Sequence, residues 1–141
     1  MAVPLIGIAD HDAVLIRLID QVLTEAGFQT LQLPEGARAY DEIRKHQPDL
    51  VILDTWLESR EAGWALFQVL RLDRETKNIP VLICSSDLAE FEKRSSSLGQ
   101  QGHVGVLNKP FDIDVLIAKV HEMLSLKGFA RPSRDGYGPS S

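Results

Sequence analysis

Polar groups stand at the ends of four short apolar runs in this chain. Asp10, His11 and Asp12 follow Pro4–Ala9, Asp54 follows Leu50–Leu53, Ser85 follows Val81–Cys84, and Lys109 closes the stretch that begins at Val104. Runs this short and rich in Val and Ile suit strands buried on both faces, as parallel sheets require. In such sheets, ligands bind beyond the carboxyl ends of the strands. If the strands are neighbours, carboxylates, a hydroxyl and an ammonium converge there. Clustered carboxylates repel one another unless a cation sits among them. Mg²⁺ suits the role, because it takes hard oxygen ligands and keeps several waters. Lys109 and Ser85 beside it suit a phosphoryl group, one pairing with its charge and the other donating to an oxygen. An aspartate can also be the nucleophile in phosphoryl transfer. Asp54 is the candidate for that role, since Thr55-Trp56-Leu57 does not look like a first helical turn that it would cap.

The elements that must position these groups alternate. After the first strand, Leu15, Leu18, Ile19, Val22, Leu23 and Ala26 follow helical spacing, and Gly27 is a stop. Asp12 is either the N-cap of this helix or a metal ligand. Phe28–Leu33 is a second strand and Ala37–His46 a second helix. His46 lies near the C-terminal end of that helix, where a cation is favourable, and is a structural residue. Glu58–Gly63 is a polar loop, and helical spacing resumes over Trp64–Leu72. A fourth helix, Leu88–Leu98, carries only Leu88, Phe91 and Leu98 as large apolar residues, which marks it for mobility. The last helix carries Ile113, Leu116, Ile117, Val120 and Leu124. Strand and helix alternate five times, with no internal repeat. That pattern predicts an α/β, doubly wound parallel sheet with right-handed crossovers.

At 141 residues the chain is expected to hold one domain over residues 1–126. Residues 127–141, rich in Gly, Pro and Ser, form an expected flexible tail. A net charge of −5 argues against nucleic-acid binding, which wants a basic face. The single cysteine, Cys84, gives no disulfide framework and is expected to be a buried thiol. No signal peptide is visible, and no apolar run approaches the ~20 residues of a membrane span, so a cytoplasmic location is expected.

Taken in order, the acid after strand one, "PDLVILD", "IPVLICSS" and "NKPF" resemble the receiver domain of two-component response regulators, over roughly residues 3–126. The resemblance implies a flavodoxin-like five-stranded sheet in the order 2-1-3-4-5 with five flanking helices. It implies that Asp54 accepts a phosphoryl group from a histidine kinase or phosphotransfer protein. Asp10, Asp54 and the backbone carbonyl of Trp56 would hold Mg²⁺, and Ser85 and Lys109 would bind phosphoryl oxygens. The output would be changed contacts with a downstream protein. A homodimer through helix 4, strand 5 and helix 5 would use Leu88, Phe91, Val106 and the last helix. Such a domain accepts and slowly loses phosphate; it is not a turnover enzyme.

Three positions depart from the family. His11 falls where a second, metal-binding acid is usual, and imidazole is a poorer partner for Mg²⁺ than carboxylate. Mg²⁺ affinity is therefore expected to be weakened. Val106, three residues before Lys109, stands where an aromatic switch residue is common. Trp56, two residues after Asp54, would exclude hydrolytic water and prolong the phosphoryl group's life. The alternative function is a pseudo-receiver, a phosphorylation-independent interaction module. A hydrolase using an aspartyl-phosphate would need an acid at Trp56. A flavin protein would not place Asp10-His11-Asp12 in its phosphate loop. With no output domain after Leu126, the chain reads as a stand-alone receiver or a truncated protein.

Overall fold

The computed structural model describes residues 3–35, 37–54, 57, 59–95 and 103–125. Five strands alternate with five helices. In order they are β1 (Leu5–Ala9), α1 (Ala13–Glu25), β2 (Gln29–Gln32), α2 (Ala37–His46), β3 (Leu50–Asp54), α3 (Arg60–Leu72), β4 (Val81–Ser85), α4 (Leu88–Ser95), β5 (Val104–Asn108) and α5 (Ile113–Ser125). The strands form one parallel sheet in the order β2-β1-β3-β4-β5.

The alternation of side chains along the buried strands sorts the core into two layers. On β3 and β4, Val51, Leu53, Val81 and Ile83 face a layer built with Ala39 and Ile43 of α2, Leu66, Phe67 and Leu70 of α3, and Phe91 of α4. Leu50, Ile52, Leu82 and Cys84 face the other layer, built with Ile19 and Leu23 of α1 and Leu116, Val120 and Met123 of α5. Both central strands are buried along their whole length. The continuous apolar runs follow from that placement. Cys84 is a buried thiol, as expected, and burial pushes its pKa up to about 12, so it is inert at neutral pH.

The helix ends follow local chemistry. Asp12 caps α1, its Oδ1 accepting from the amides of Val14 and Leu15. Gly27 at φ 98° ends α1. Its amide donates to the Thr24 carbonyl and that of Phe28 to the Leu23 carbonyl, the paired bonds of a Schellman stop. One boundary differs clearly from expectation. The polar stretch before Trp64 is the first turn of α3, not a loop. Ser59 is its N-cap and accepts from the Ala62 amide at 3.0 Å. With Arg60, Glu61 and Gly63 in that turn, no apolar period announced it. The outer strand β2 is Gln29–Gln32, shorter than Phe28–Leu33. The expected tail and the far end of the fourth helix lie outside the described residues. Among the described residues, no helix is long and apolar enough to cross a membrane.

A polar network ties the outer strand to α1. Asp20 accepts from the hydroxyls of Thr30 and Thr24 and from Nε2 of Gln32. The Thr30 bond foremost, with Gln32 and Thr24, holds its carboxyl below the ordinary value against a small opposing effect of burial. A lowered carboxyl stabilises the fold above its unfolded pKa, and that stability is lost as pH falls through the folded value. Asp20→Asn is therefore expected to cost about 0.5–1 kcal/mol at pH 7, a modest figure because water screens the site. The gap to the parent should close as acidification passes below the ordinary carboxylate range. Urea melts at several pH values check this; a gap that persists at low pH would refute it.

Candidate functional site

The carboxyl ends of β1, β3, β4 and β5 bring the sequence's candidate residues together. Asp10 follows β1 directly, and Asp54 is the last residue of β3. Ser85 ends β4, paired in register with Asn108 at the end of β5. The Lys109 amide donates to the Ser85 carbonyl at 2.9 Å, which fixes the start of the loop that carries the lysine.

Lys109 is the hub. Its Nζ lies 2.9 Å from Asp10 Oδ2 and 2.7 Å from Asp54 Oδ2. Both carboxylates are nearly sealed, with side chains 4% exposed, and the lysine is 19% exposed. Burial alone would lower the ammonium's pKa. Its hydrogen bonds to Asp54 and Asp10, with the charges of both, outweigh that and raise it. The lysine is thus held charged between two acids that would otherwise repel each other.

His11 completes the cluster from the solvent side, 46% exposed. Its Nδ1 lies 3.1 Å from Asp54 Oδ2 and 3.5 Å from Asp10 Oδ1. Asp10 is anchored further by the Asp12 amide, which donates to its Oδ1 at 3.0 Å. Asp12 itself is turned to its capping role, so the structure places it on the helix rather than among the clustered groups. The Ser85 hydroxyl is buried and accepts from the Asp87 amide at 3.0 Å. Val106 is half-buried against the layer that contains Phe91. Phe91 is 5% exposed and packed inward. It therefore does not belong to an exposed dimerisation face, because α4 uses it to dock. Trp56 lies outside the described residues. His46 pairs with Glu42 one turn earlier on α2, at 3.0 Å, in keeping with a structural role.

Asp10, His11 and Asp54 each offer one ligand atom, all within 4.8 Å of one another. That donor set fits a divalent cation: two buried carboxylates supply charge, and a half-exposed imidazole leaves a way in. Two features near the cluster were not anticipated. A cavity of about 10 Å³, the room of one water, lies between Asp10, His11, Leu33 and Glu35. Glu35 in the β2–α2 loop gave no signal beyond a turn. On the other side, an open groove of about 340 Å³ runs beside Lys109, lined by Leu15 and Leu18 of α1 and by Pro110, Phe111 and Ile113.

The family profile for the response regulator receiver domain matches residues 6–121. The chain belongs to the response regulator receiver family. It is 31% identical over 121 residues to the DNA-binding dual master transcriptional regulator RpaA of Synechocystis, covering 86% of this chain but 49% of that protein. It is 30% identical over 110 residues to sporulation initiation phosphotransferase F of Bacillus subtilis, covering 78% of this chain and 85% of that one. Among solved structures, a Francisella response regulator receiver domain superposes with a TM-score of 0.73 at 27% identity, covering 88% of this chain and 98% of the other. The chemotaxis protein CheY4 of Vibrio cholerae superposes at 0.74 with 20% identity, a likeness of fold. The chain thus spans about half of one curated relative and most of another. The sheet order expected from the resemblance is the one observed.

Proposed function

We propose that this receiver accepts a phosphoryl group on Asp54 and signals through altered protein contacts. The observation that carries this reading is the buried Asp54 carboxylate at the end of β3, with the Lys109 ammonium 2.7 Å from its Oδ2. In the transfer, a carboxylate oxygen of Asp54 attacks the phosphorus of a donor's phosphohistidine. The phosphorus–nitrogen bond breaks, and the donor imidazole leaves and takes up a proton. Lys109 pairs with the charge of the phosphoryl group, and Ser85 donates its hydroxyl hydrogen to one oxygen. Asp10, His11 and Asp54 are the residues that would hold a divalent cation, which when bound offsets the charge of carboxylates and phosphoryl group together. We read the domain as an acceptor rather than a turnover enzyme, working in the cytoplasm.

The donor would be a histidine kinase or a phosphotransfer protein. The groove beside Lys109 is the face it would approach, because Leu15 and Leu18 continue directly from the acceptor cluster and leave apolar surface open, Leu18 being 43% exposed. A downstream protein target is part of the same reading.

A second reading, a pseudo-receiver that works without phosphorylation, is favoured by one observation. His11 occupies a ligand position, and Lys109 is already paired with both acids. Acetyl phosphate with a divalent cation separates the two readings by intact mass. One added phosphoryl group that is absent from Asp54→Ala is the expected result. A folded protein that gains none supports the pseudo-receiver instead. Slow decay of the added group would support the water-excluding role expected of Trp56.

A further inference from the structure

We propose that Asp10, His11 and Asp54 form a mixed nitrogen–oxygen site that selects a borderline divalent transition ion, such as Co²⁺ or Zn²⁺, over Mg²⁺. The inference rests on the reading of these carboxylates as cation ligands, and it concerns which ion they take. Around an ion with bonds of about 2.0–2.2 Å, neighbouring ligand atoms lie roughly 3.0–3.5 Å apart. His11 Nδ1 lies 3.1 Å from an oxygen of Asp54, where it makes a hydrogen bond, and 3.5 Å from one of Asp10, so the nitrogen stands at ligand-to-ligand spacing from each carboxylate, and all three atoms lie within 4.8 Å of one another. The nitrogen belongs to the coordinating set and is not a bystander at its edge.

The chemistry of that nitrogen decides the ion. Mg²⁺ demands near-octahedral oxygen coordination and sheds water reluctantly. Imidazole suits Zn²⁺, Ni²⁺ and other borderline ions. Exchanging one of three protein ligands from oxygen to nitrogen therefore penalises Mg²⁺ and favours the borderline ions. The cavity beside Asp10 and His11 has room for one water ligand. His11 is half exposed, so its replacement disturbs little of the core. Lys109 competes for the same oxygens, and any ion must displace its ammonium. That lowers all affinities together and leaves the preference between ions to His11.

The test is direct binding of Co²⁺, Zn²⁺ and Mg²⁺ to the unphosphorylated protein, by calorimetry and by Co²⁺ absorption, in the parent and in His11→Asp. Substitution is expected to move the ions in opposite directions. Mg²⁺ should tighten about tenfold or more, while Co²⁺ and Zn²⁺ weaken and the Co²⁺ spectrum loses its nitrogen-ligand signature. If all three ions tighten together, the effect is charge alone and the proposal fails. If Co²⁺ binding is unchanged, the ion sits elsewhere, on His46, His103 or His121, and the proposal also fails. No phosphoryl transfer is read, so a site that behaves as expected in a protein that never accepts phosphate would overturn only the acceptor reading.

Discussion

Lys109→Met is expected to destabilise the protein by roughly 2–4 kcal/mol at pH 7, because it strands two buried acids beside each other. The side chain it removes is the nearest cation to both, at 2.9 Å from Asp10 and 2.7 Å from Asp54. Methionine keeps the apolar stem's volume, so the loss reports charge rather than packing. The sum of the terms matters here. Bringing an ammonium out of water is costly, but with both carboxylates in place the net shift of its pKa is upward. A raised lysine contributes stability that is complete below its unfolded pKa, about 10.5, and is lost as pH rises through the folded value. The parent should therefore lose stability above that pH, and Lys109→Met should lack the step. Adding Asp10→Asn to Lys109→Met should restore more than half of the loss, since a single buried acid no longer faces a second. Urea denaturation of the two variants and the parent reads all three effects. A Lys109→Met protein as stable as the parent at pH 7 would show that the ammonium does not hold the acids together. The same arithmetic bears on the proposed function: the group that stabilises the unmodified site is also the one that would pair with an incoming phosphoryl group.

Most of this arrangement was legible in the chain, for an identifiable reason. A strand buried on both faces must be apolar throughout, so a polar residue at its end stands out sharply. Asp54 after Leu50–Leu53 and Ser85 after Val81–Cys84 are legible on that ground alone. The capping role of Asp12 was visible as one of two choices, and the structure shows it capping α1. What was not legible depends on approach in space. Ser59 caps α3 five residues ahead of Trp64, where the apolar spacing begins, and a serine before charged residues looks the same in a loop. Asp20 meets Thr30 and Gln32 only because α1 packs beside the outer strand. Its own spacing to Thr24 was a four-residue hint with no partner strand attached. Gln47, at φ 47°, closes α2 in a conformation usually left to glycine. Its side chain is what holds it there, with Nε2 donating to the carbonyls of Arg44 and Glu75. Nothing in the sequence pairs residue 47 with residue 75.

Phe91→Ala is expected to release α4 while leaving the sheet folded. Over Leu88–Lys93, Phe91 is the one buried side chain, between half-buried and exposed neighbours. Its ring meets Phe67 edge-on at 5.1 Å and Trp64 at 6.2 Å, both from α3. Removing it forfeits burial and the aromatic contacts together, about 3 kcal/mol. A loss of that size should speed amide exchange in α4 roughly 100-fold if the helix opens locally. Exchange in β3 and β4 should change far less, because Phe91 is one residue of one of the two layers that bury them, and most of the rest comes from α1, α2, α3 and α5. Uniform acceleration across every element would show instead that α4 and the sheet open as one unit. The outcome bears on the proposed signalling, because a short path joins the site to this helix. The Ser85 hydroxyl accepts from the Asp87 amide, and the Asp87 carboxylate accepts from the Glu90 amide in the first turn of α4. On the proposed reading, a phosphoryl group on Asp54 that drew the serine toward it would pull on the segment that starts the helix. A helix held by one aromatic anchor can answer that pull at small cost, whereas one buried like α5, with Leu116, Val120, Met123 and Leu124 in the core, could not. On the proposed reading, the sparse apolar pattern of Leu88–Ser95 is the physical condition for a contact surface that would change with the state of Asp54.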